Sequence, residues 1–105
     1  MSDVKLLFDC TGFEWDKHNS EKIWAKHKVS PSESEQIFFN LPVVVADAVK
    51  HSGKENRYYA LGRTDANRQL FVVFIVRAKN IRLISARDMS RKERKVYKLH
   101  EKENT

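Results

Sequence analysis

Four β-rich segments follow one another between residues 43 and 87, and only short turn sequences separate them. The predicted strands are residues 43–49, 57–62, 70–76 and 81–87. We expect antiparallel neighbours, because a parallel connection needs a crossover of a dozen or more residues. The third segment is apolar at nearly every position, which predicts a central strand covered on both faces. The chain is thereby constrained to a meander of strands.

Helical patterns flank this meander. Residues 16–28 place Ile23, Trp24 and His27 on one face of a predicted helix. A second helix begins at Ser30-Pro31-Ser32-Glu33, where Ser30 and Glu33 can bond each other's backbone amides and proline takes the first helical position. Ser90-Arg91-Lys92-Glu93 is a similar capping box and opens a predicted C-terminal helix.

Residues 4–9 and 13–15 are also strand-like, so strands and helices together predict an α+β fold. We expect a small twisted antiparallel β-sheet of four to five strands, with two N-terminal helices and one C-terminal helix packed mainly on one face. The length of 105 residues predicts a single domain over residues 1–105. The predicted core aromatics are Trp15, Trp24, Phe38, Phe71 and Phe74.

Several function classes are disfavoured by composition. The longest apolar run, residues 70–76, is far shorter than the ~20 residues of a membrane span. The N-terminus has no small-residue cleavage site, so we predict no secretory signal and no membrane partner. Cys10 is the only cysteine, which argues against a disulfide framework or a cysteine-based zinc site. The simplest predicted compartment is a reducing cytoplasm.

The positive charge is concentrated at one end of the chain. The net charge is +6, and residues 77–105 alone carry ten Lys/Arg against four Asp/Glu. Residues 1–76 are balanced in charge. A basic segment of this kind suits a polyanionic partner such as nucleic acid. The alternative at this point is a solvated cationic helix without a ligand.

A series of short motifs resembles the BrnT family of toxins over residues 13–98. In chain order they are Phe13-Glu14-Trp15-Asp16, Asn19, Lys26-His27, Val29-Ser30, Glu55, Arg57, Gly62-Arg63-Thr64, residues 70–76 and 81–87, Arg91-Lys92-Glu93-Arg94 and Tyr97. The resemblance implies a RelE-like fold and a bacterial type II toxin–antitoxin system. It implies RNA cleavage that inhibits translation, and a DNA-binding, BrnA-like antitoxin through which the complex reaches operator DNA.

The chain departs from the family pattern after the Lys-His pair. Lys28 stands where a glycine is usual, and Pro31 stands where an aromatic is usual. We expect the tight turn that this glycine would allow to be made in a different way.

RNA cleavage without a metal requires a base for the 2′-OH, an acid for the leaving 5′-oxygen and cations around the phosphate. The sequence shows no two-metal pattern, and Asp16 with His18 is the one close pair that could serve as ligands. We therefore predict a metal-independent endoribonuclease with no cofactor. A metal-dependent hydrolase is an alternative.

The predicted catalytic residues are His27, Arg63, Arg87, Glu93 and Tyr97. The predicted RNA- or phosphate-binding residues are Lys26, Arg57, Arg77, Arg91, Lys92 and Arg94. Histidine ordinarily titrates near neutral pH, and arginine donates two parallel hydrogen bonds to phosphate. Each candidate also has a structural alternative. His27 suits a helix C-terminus, Arg87 could pair with Glu55 or Glu93, and Glu93 could cap its own helix.

Three further alternatives concern Tyr97, the basic C-terminal helix and the function as a whole. Tyr97 is at a spacing typical of a core residue as well as of a base-stacking one. The basic helix that starts at Arg91 can steer RNA or dock an acidic antitoxin segment. A non-catalytic nucleic-acid- or protein-binding module within a regulatory complex is the competing hypothesis to a ribonuclease.

Overall fold

Three helices and five strands make up the fold. The computed structural model describes residues 7, 9–48 and 57–103. The elements in chain order are β1 (Gly12–Trp15), α1 (Lys17–His27), α2 (Pro31–Gln36), β2 (Val44–Asp47), β3 (Arg57–Arg63), β4 (Gln69–Arg77), β5 (Asn80–Asp88) and α3 (Arg91–Glu103). This order confirms the predicted α+β class. The predicted strand at residues 4–9 falls mostly outside the described residues, and the turn Ser52-Gly53-Lys54 falls wholly outside them.

The sheet is mixed rather than wholly antiparallel. Its strand order is β1-β5-β4-β3-β2, and β2 to β5 pair antiparallel as predicted. β1, however, pairs parallel with β5, with Phe13 opposite Ile81. The antiparallel expectation was wrong for this strand because no hairpin joins it to its neighbour. The chain crosses α1, α2 and the whole meander before it reaches β5, so either direction is open to it.

The helices lie on both faces of the sheet. Ile23 of α1, Val29 in the loop after α1 and Ile37 at the C-terminal end of α2 pack in one core with the buried residues of β4 and β5. Tyr97 of α3 packs in a second core with Val44, Leu61 and Met89. The prediction that the helices occupy mainly one face was therefore wrong for α3. The exposed remainder of the second face is the part of the sheet available to a ligand.

A bulge in β5 changes which residues share a face. Val73 pairs with Ser85, but the next residue, Phe74, pairs with Leu83, so Ile84 is the extra residue. Side chains alternate along a regular strand, and one inserted residue reverses that alternation. Arg82 and Arg87 are five positions apart, yet the bulge puts both on the face that α3 partly covers.

The loop between α1 and α2 shows how the chain turns with Lys28 in place of the glycine that is usual in the family. Lys28 itself adopts the left-handed conformation with φ 55°, and its amide bonds the carbonyl of Trp24. The expectation of a different turn was wrong, because a lysine here takes the conformation that favours glycine. Pro31 then fits as the first residue of α2, behind the Ser30–Glu33 capping box.

Most aromatic predictions hold, with one exception. Phe74 is fully buried, and Trp15, Phe38 and Phe71 are partly buried against the two cores. Trp24 is 50% exposed and lies under the Lys28 ammonium group, 5.3 Å from its ring centroid. It was wrongly predicted as core, because only Ile23 of this helix is fully directed at the sheet. Within the described residues, the helices are too short or too polar to cross a membrane.

Candidate functional site

The face of the sheet that carries α3 also carries five arginines, and we call it the arginine face. The residues that define it are Arg57, Tyr59, Arg63, Phe71, Arg77, Arg82 and Arg87. Arg57 and Arg82 are the direct cross-strand neighbours of Ile75 on either side. Arg77 is exposed one pleat further along β4. The four arginines predicted from the sequence thus share one face, and Arg82 joins them.

Arg87 is held in a fixed orientation beside an aromatic ring. Its Nη1 and Nη2 donate to Oε1 and Oε2 of Glu93 at 2.8 and 2.9 Å. Its guanidinium carbon lies 4.2 Å from the ring centroid of Phe71, and Phe71 stacks on Tyr59 at 5.4 Å. Cation–π contact and a bidentate ion pair both restrict the guanidinium plane. The result is an ordered cation next to a stacked aromatic pair.

The same contact determines the ionisation of Glu93. Burial opposes the charged carboxylate, but hydrogen bonds from Arg87 and from the Ser90 amide lower the pKa of Glu93 below its usual value. The bond with Glu93 correspondingly raises the pKa of Arg87. Oε1 of Glu93 also accepts from the Ser90 amide at 2.8 Å and so completes the second capping box. Glu93 is therefore an ionised group that caps α3 and orients Arg87.

Arg63 and Tyr97 lie towards the same end of the arginine face as Arg87, but on the β3 side of the sheet. Nε and Nη2 of Arg63 donate to the carbonyl of Leu41 at 3.2 and 3.0 Å. The Tyr97 hydroxyl donates to the carbonyl of Pro42 at 2.7 Å. The Tyr97 side chain is fully buried, and burial together with the charge of Glu101 raises its pKa to about 12. This burial does not fit the predicted catalytic role and corresponds to the core alternative.

His27 and Lys26 lie in a cleft at the edge of the sheet, which we call the edge cleft. It is lined by Asn19, Lys22, Ile23, Lys26, His27, Ile84 and Ser85. β1 pairs with β5 only as far as Leu83, so the cleft opens where β5 continues beyond β1. Ser85 and Arg87 lie on the same face about 7 Å apart along the strand. The edge cleft therefore adjoins the arginine face at Arg87.

A family model described as the ribonuclease toxin BrnT of type II toxin–antitoxin systems matches residues 15–93. The chain belongs to the BrnT family. A search of solved structures finds the crystal structure of the Brucella abortus ribonuclease toxin BrnT, with a TM-score of 0.58 and 21% identity. That match covers 77% of this chain and 99% of the Brucella chain, and at this identity it shows a shared fold. A search of curated proteins finds no match.

Membership of the BrnT family makes this chain a ribonuclease toxin with an antitoxin partner. The structure distributes its predicted site residues over three places. Arg57, Arg63, Arg77 and Arg87 are on the arginine face, and Lys26 and His27 are in the edge cleft. Arg91, Lys92 and Arg94 are exposed on α3. Of the remaining predicted residues, Glu93 caps α3, and Tyr97, like Arg63, bonds a backbone carbonyl of the segment before β2.

Asp16, which with His18 forms the pair that could serve as metal ligands, makes other contacts in this toxin. Oδ1 of Asp16 accepts from the amides of His18 and Asn19 and so caps α1. Oδ2 of Asp16 is 3.7 Å from Nη2 of Arg82. Within residues 9–48 and 57–103, His, Cys, Asp and Glu do not gather in groups of three that could hold a metal ion.

Two arginines of this BrnT toxin were missed by the sequence analysis. Arg82 was not among the predicted site residues; strict alternation from Arg87 would direct it to the other face, and the bulge reverses this. Arg68 lies in the hairpin loop between β3 and β4, where a charged residue resembles any solvated loop residue. The sequence contained no signal that Arg68 contacts both the end of α1 and the end of β5.

Proposed function

We propose that this toxin cleaves single-stranded RNA without a metal ion, on the arginine face beside the edge cleft. The observation that carries the proposal is the placement of Arg87. It is oriented by Glu93, stacked on Phe71, and next to a cleft that His27 lines. A phosphate contacting Arg87 would thus have an ionisable imidazole group near it.

Binding of RNA would use the charges and the rings of the arginine face together. Arginine donates bidentately to phosphate oxygens, and unpaired bases stack on aromatic side chains. Tyr59 and Phe71 form a stacked pair between the row of Arg57 and Arg82 and the site of Arg87. An RNA strand crossing the sheet would meet cations on both sides of an aromatic platform. Arg77 and Arg63 extend the positive charge along the same face.

The chemical step would be transfer within the RNA backbone. The 2′-oxygen loses its proton and bonds to the adjacent phosphorus, while the bond from phosphorus to the 5′-oxygen breaks and that oxygen takes up a proton. The products are a 2′,3′-cyclic phosphate and a 5′-hydroxyl end. His27 supplies one of the two proton transfers, and Arg87 with Lys26 neutralises the charge on the phosphorane. In this scheme Glu93 orients Arg87 and stays ionised.

The experiment is cleavage of a long single-stranded RNA by the purified, antitoxin-free protein in excess chelator. We expect cleavage by the wild type, and at least about 100-fold slower cleavage by His27→Ala and by the Arg57→Ala, Arg82→Ala double variant. Lys17→Ala is the matched control, because it removes an exposed cation of α1 outside both the cleft and the arginine face. Loss of activity in chelator with recovery on adding a divalent ion would contradict the metal-free mechanism.

For the antitoxin, we propose a BrnA-like DNA-binding protein that carries the complex to operator DNA and docks on α3. Val96 and Leu99 are 42% and 60% exposed on the side of α3 away from Tyr97. Exposed lysines surround them, among them Lys92 and Lys95. An acidic segment with apolar residues at helical spacing fits this combination. Leu99→Asp should weaken neutralisation of the ribonuclease by the cognate antitoxin and leave cleavage intact, whereas Lys17→Ala should change neither.

The wider biological role follows from the same proposal. The toxin would inhibit translation in the bacterial cytoplasm, by cutting RNA until the antitoxin binds. We also propose that residues 1–105 form one toxin domain, which the family match over residues 15–93 supports. Growth arrest on expression, lost in His27→Ala and restored by co-expressed antitoxin, would be the expected result in cells.

A further inference from the structure

Arg68 connects the two halves of the candidate site through a single guanidinium group. Nε and Nη2 donate to the two carboxylate oxygens of Asp88 at 2.7 and 3.1 Å. Nη2 also donates to the carbonyl of His27 at 3.1 Å, and Nη1 donates to the carbonyl of Lys28 at 2.7 Å. Nη1 further contacts Oε2 of Glu33 at 3.1 Å. The end of α1, the start of α2 and the end of β5 thus meet at one side chain.

The hairpin loop holds the base of Arg68 in place. The buried Thr64 accepts the Arg68 amide on its hydroxyl, and its own amide donates to the Arg68 carbonyl at 2.9 Å. Asn67 takes a left-handed conformation with φ 66°, which asparagine tolerates well. These hydrogen bonds fix the backbone of Arg68 in the loop, so its side chain extends from a fixed position.

The groups that Arg68 joins belong to the two parts of the proposed site. The last carbonyls of a helix have no partner within the helix, and a cation there is favourable. Here those carbonyls belong to His27 and to Lys28, at the end of α1 that carries the imidazole. On the other side, Asp88 directly follows Arg87 in β5. The hydrogen bond from Arg68 is the main cause that lowers the pKa of Asp88, with a smaller contribution from the charge of His27.

We propose that Arg68 is a positioning residue for RNA cleavage, which fixes His27 in the edge cleft relative to Arg87 on the arginine face. This inference rests on the proposed function, because that function depends on the distance between His27 and Arg87, and Arg68 would fix this distance. Arg68 does not contact the RNA. Without it, the end of α1 loses its hydrogen-bonded connection to Asp88 at the end of β5, and a displacement of about 1 Å between catalytic groups can reduce the rate about 100-fold.

Lysine cannot replace Arg68 in this arrangement. The guanidinium group donates from three nitrogen atoms in a planar fork, and all three are used in different directions. A lysine ammonium group donates from one point and would reach Asp88 or the carbonyls of α1, but not all of them. Arg68→Lys should therefore keep the charge and the fold while it loses most of the positioning.

The test measures kcat and KM for a fluorescent single-stranded RNA oligonucleotide. We expect Arg68→Ala to lower kcat by about 10–100-fold, with KM within about threefold of wild type, and Arg68→Lys to recover only part of kcat. Glu35→Ala is the control for stability, because it removes the 2.6 Å hydrogen bond to the Trp15 indole away from the site. At a similar loss of thermal stability it should keep the wild-type kcat.

A double-mutant cycle shows whether Arg68 acts through His27. In the His27→Ala background, Arg68→Ala should slow cleavage by less than about threefold, because the group that it positions is gone. If Arg68→Ala cleaves as fast as Glu35→Ala, or its effect is undiminished without His27, the positioning role is overturned while the ribonuclease site stands. If the wild type does not cleave RNA, or His27→Ala cleaves normally, the proposed function itself fails and the role of Arg68 fails with it. If Arg68→Ala does not fold, Arg68→Lys carries the comparison alone.

Discussion

Arg87 and Glu93 face each other across the junction of β5 and α3, and two parallel hydrogen bonds of 2.8 and 2.9 Å join them. The same glutamate caps the helix that follows the strand. The orientation of a candidate phosphate-binding cation is therefore coupled to the start of a helix. Such a pairing is typical of a glutamate that positions an arginine, and not of a glutamate that abstracts a proton.

Glu93→Gln tests that distinction. Glutamine can keep the cap and one bond to Arg87, so we expect a loss of about 1 kcal/mol in the free energy of unfolding. The cleavage rate should fall by no more than about tenfold, since loss of a general base costs about 10²–10⁴-fold. Denaturant unfolding and single-turnover cleavage measure the two effects. A loss of cleavage above 100-fold in a folded variant would assign Glu93 a role in proton transfer.

Tyr97→Phe separates core packing from catalysis at the C-terminal helix. The ring stays in the core, but the buried carbonyl of Pro42 loses the donor that bonds it at 2.7 Å. We expect destabilisation of about 1–2 kcal/mol and an unchanged cleavage rate below the shifted unfolding midpoint. A stable Tyr97→Phe protein that no longer cleaves RNA would show that the hydroxyl takes part in the chemistry.

Acid should destabilise the fold through three carboxylates. Glu33, Asp88 and Glu93 all have a lowered pKa in the folded protein, with Arg68 or Arg87 among the causes. A lowered pKa gives stability that is fully present above the unfolded value near pH 4, and that is lost as pH falls through the folded values. Urea unfolding between pH 7 and pH 3 measures it. Arg68→Ala should lose less stability than wild type over this range, and parallel curves would contradict the assignment to Arg68.

The folded protein should be more stable with glycine at position 28 than with alanine there. The φ of 55° at Lys28 is a left-handed conformation, which costs a residue with a Cβ about 1 kcal/mol and costs glycine almost nothing. Both substitutions remove the contact of the Lys28 ammonium group with Trp24, so that loss cancels in the comparison. We expect the Gly variant to exceed the Ala variant by about 1 kcal/mol in thermal or urea unfolding. Equal stabilities would mean that this turn carries no strain.

Gly62, in the Gly-Arg-Thr motif, has a packing role. A Cβ at this position would lie 2.8 Å from the Cβ of Ile37 and 3.1 Å from its carbonyl oxygen. Gly62→Ala should therefore destabilise the fold by about 1–3 kcal/mol, because backbone and a rigid branch point must move. At Gly12 the nearest atom is the Oδ1 end of the Asn80 side chain at 3.0 Å, which can rotate away. Gly12→Ala is the matched control and should cost clearly less.

Local structure and part of the candidate site of this toxin could be predicted from the amino-acid sequence. Both capping boxes formed at Ser30 and Ser90, because they depend on hydrogen bonds between residues three apart. The meander formed because short turns allow only hairpins. Arg57, Arg63, Arg77 and Arg87 were also predicted as site residues from the sequence, and the Arg87–Glu93 pair was among the alternatives; that these arginines share one face follows from the register of the strands.

Contacts between residues that are far apart in the chain could not be predicted in this way. The parallel position of β1, the placement of α3 opposite the other helices, and the contacts of Arg68 with residues 20 to 41 positions away depend on how whole elements pack. The bulge at Ile84 likewise brought Arg82 to the face of Arg87 against the simple alternation. Local patterns act over one or two turns of chain. The distance between His27 and Arg87 depends instead on contacts that form only after the sheet and helices have packed.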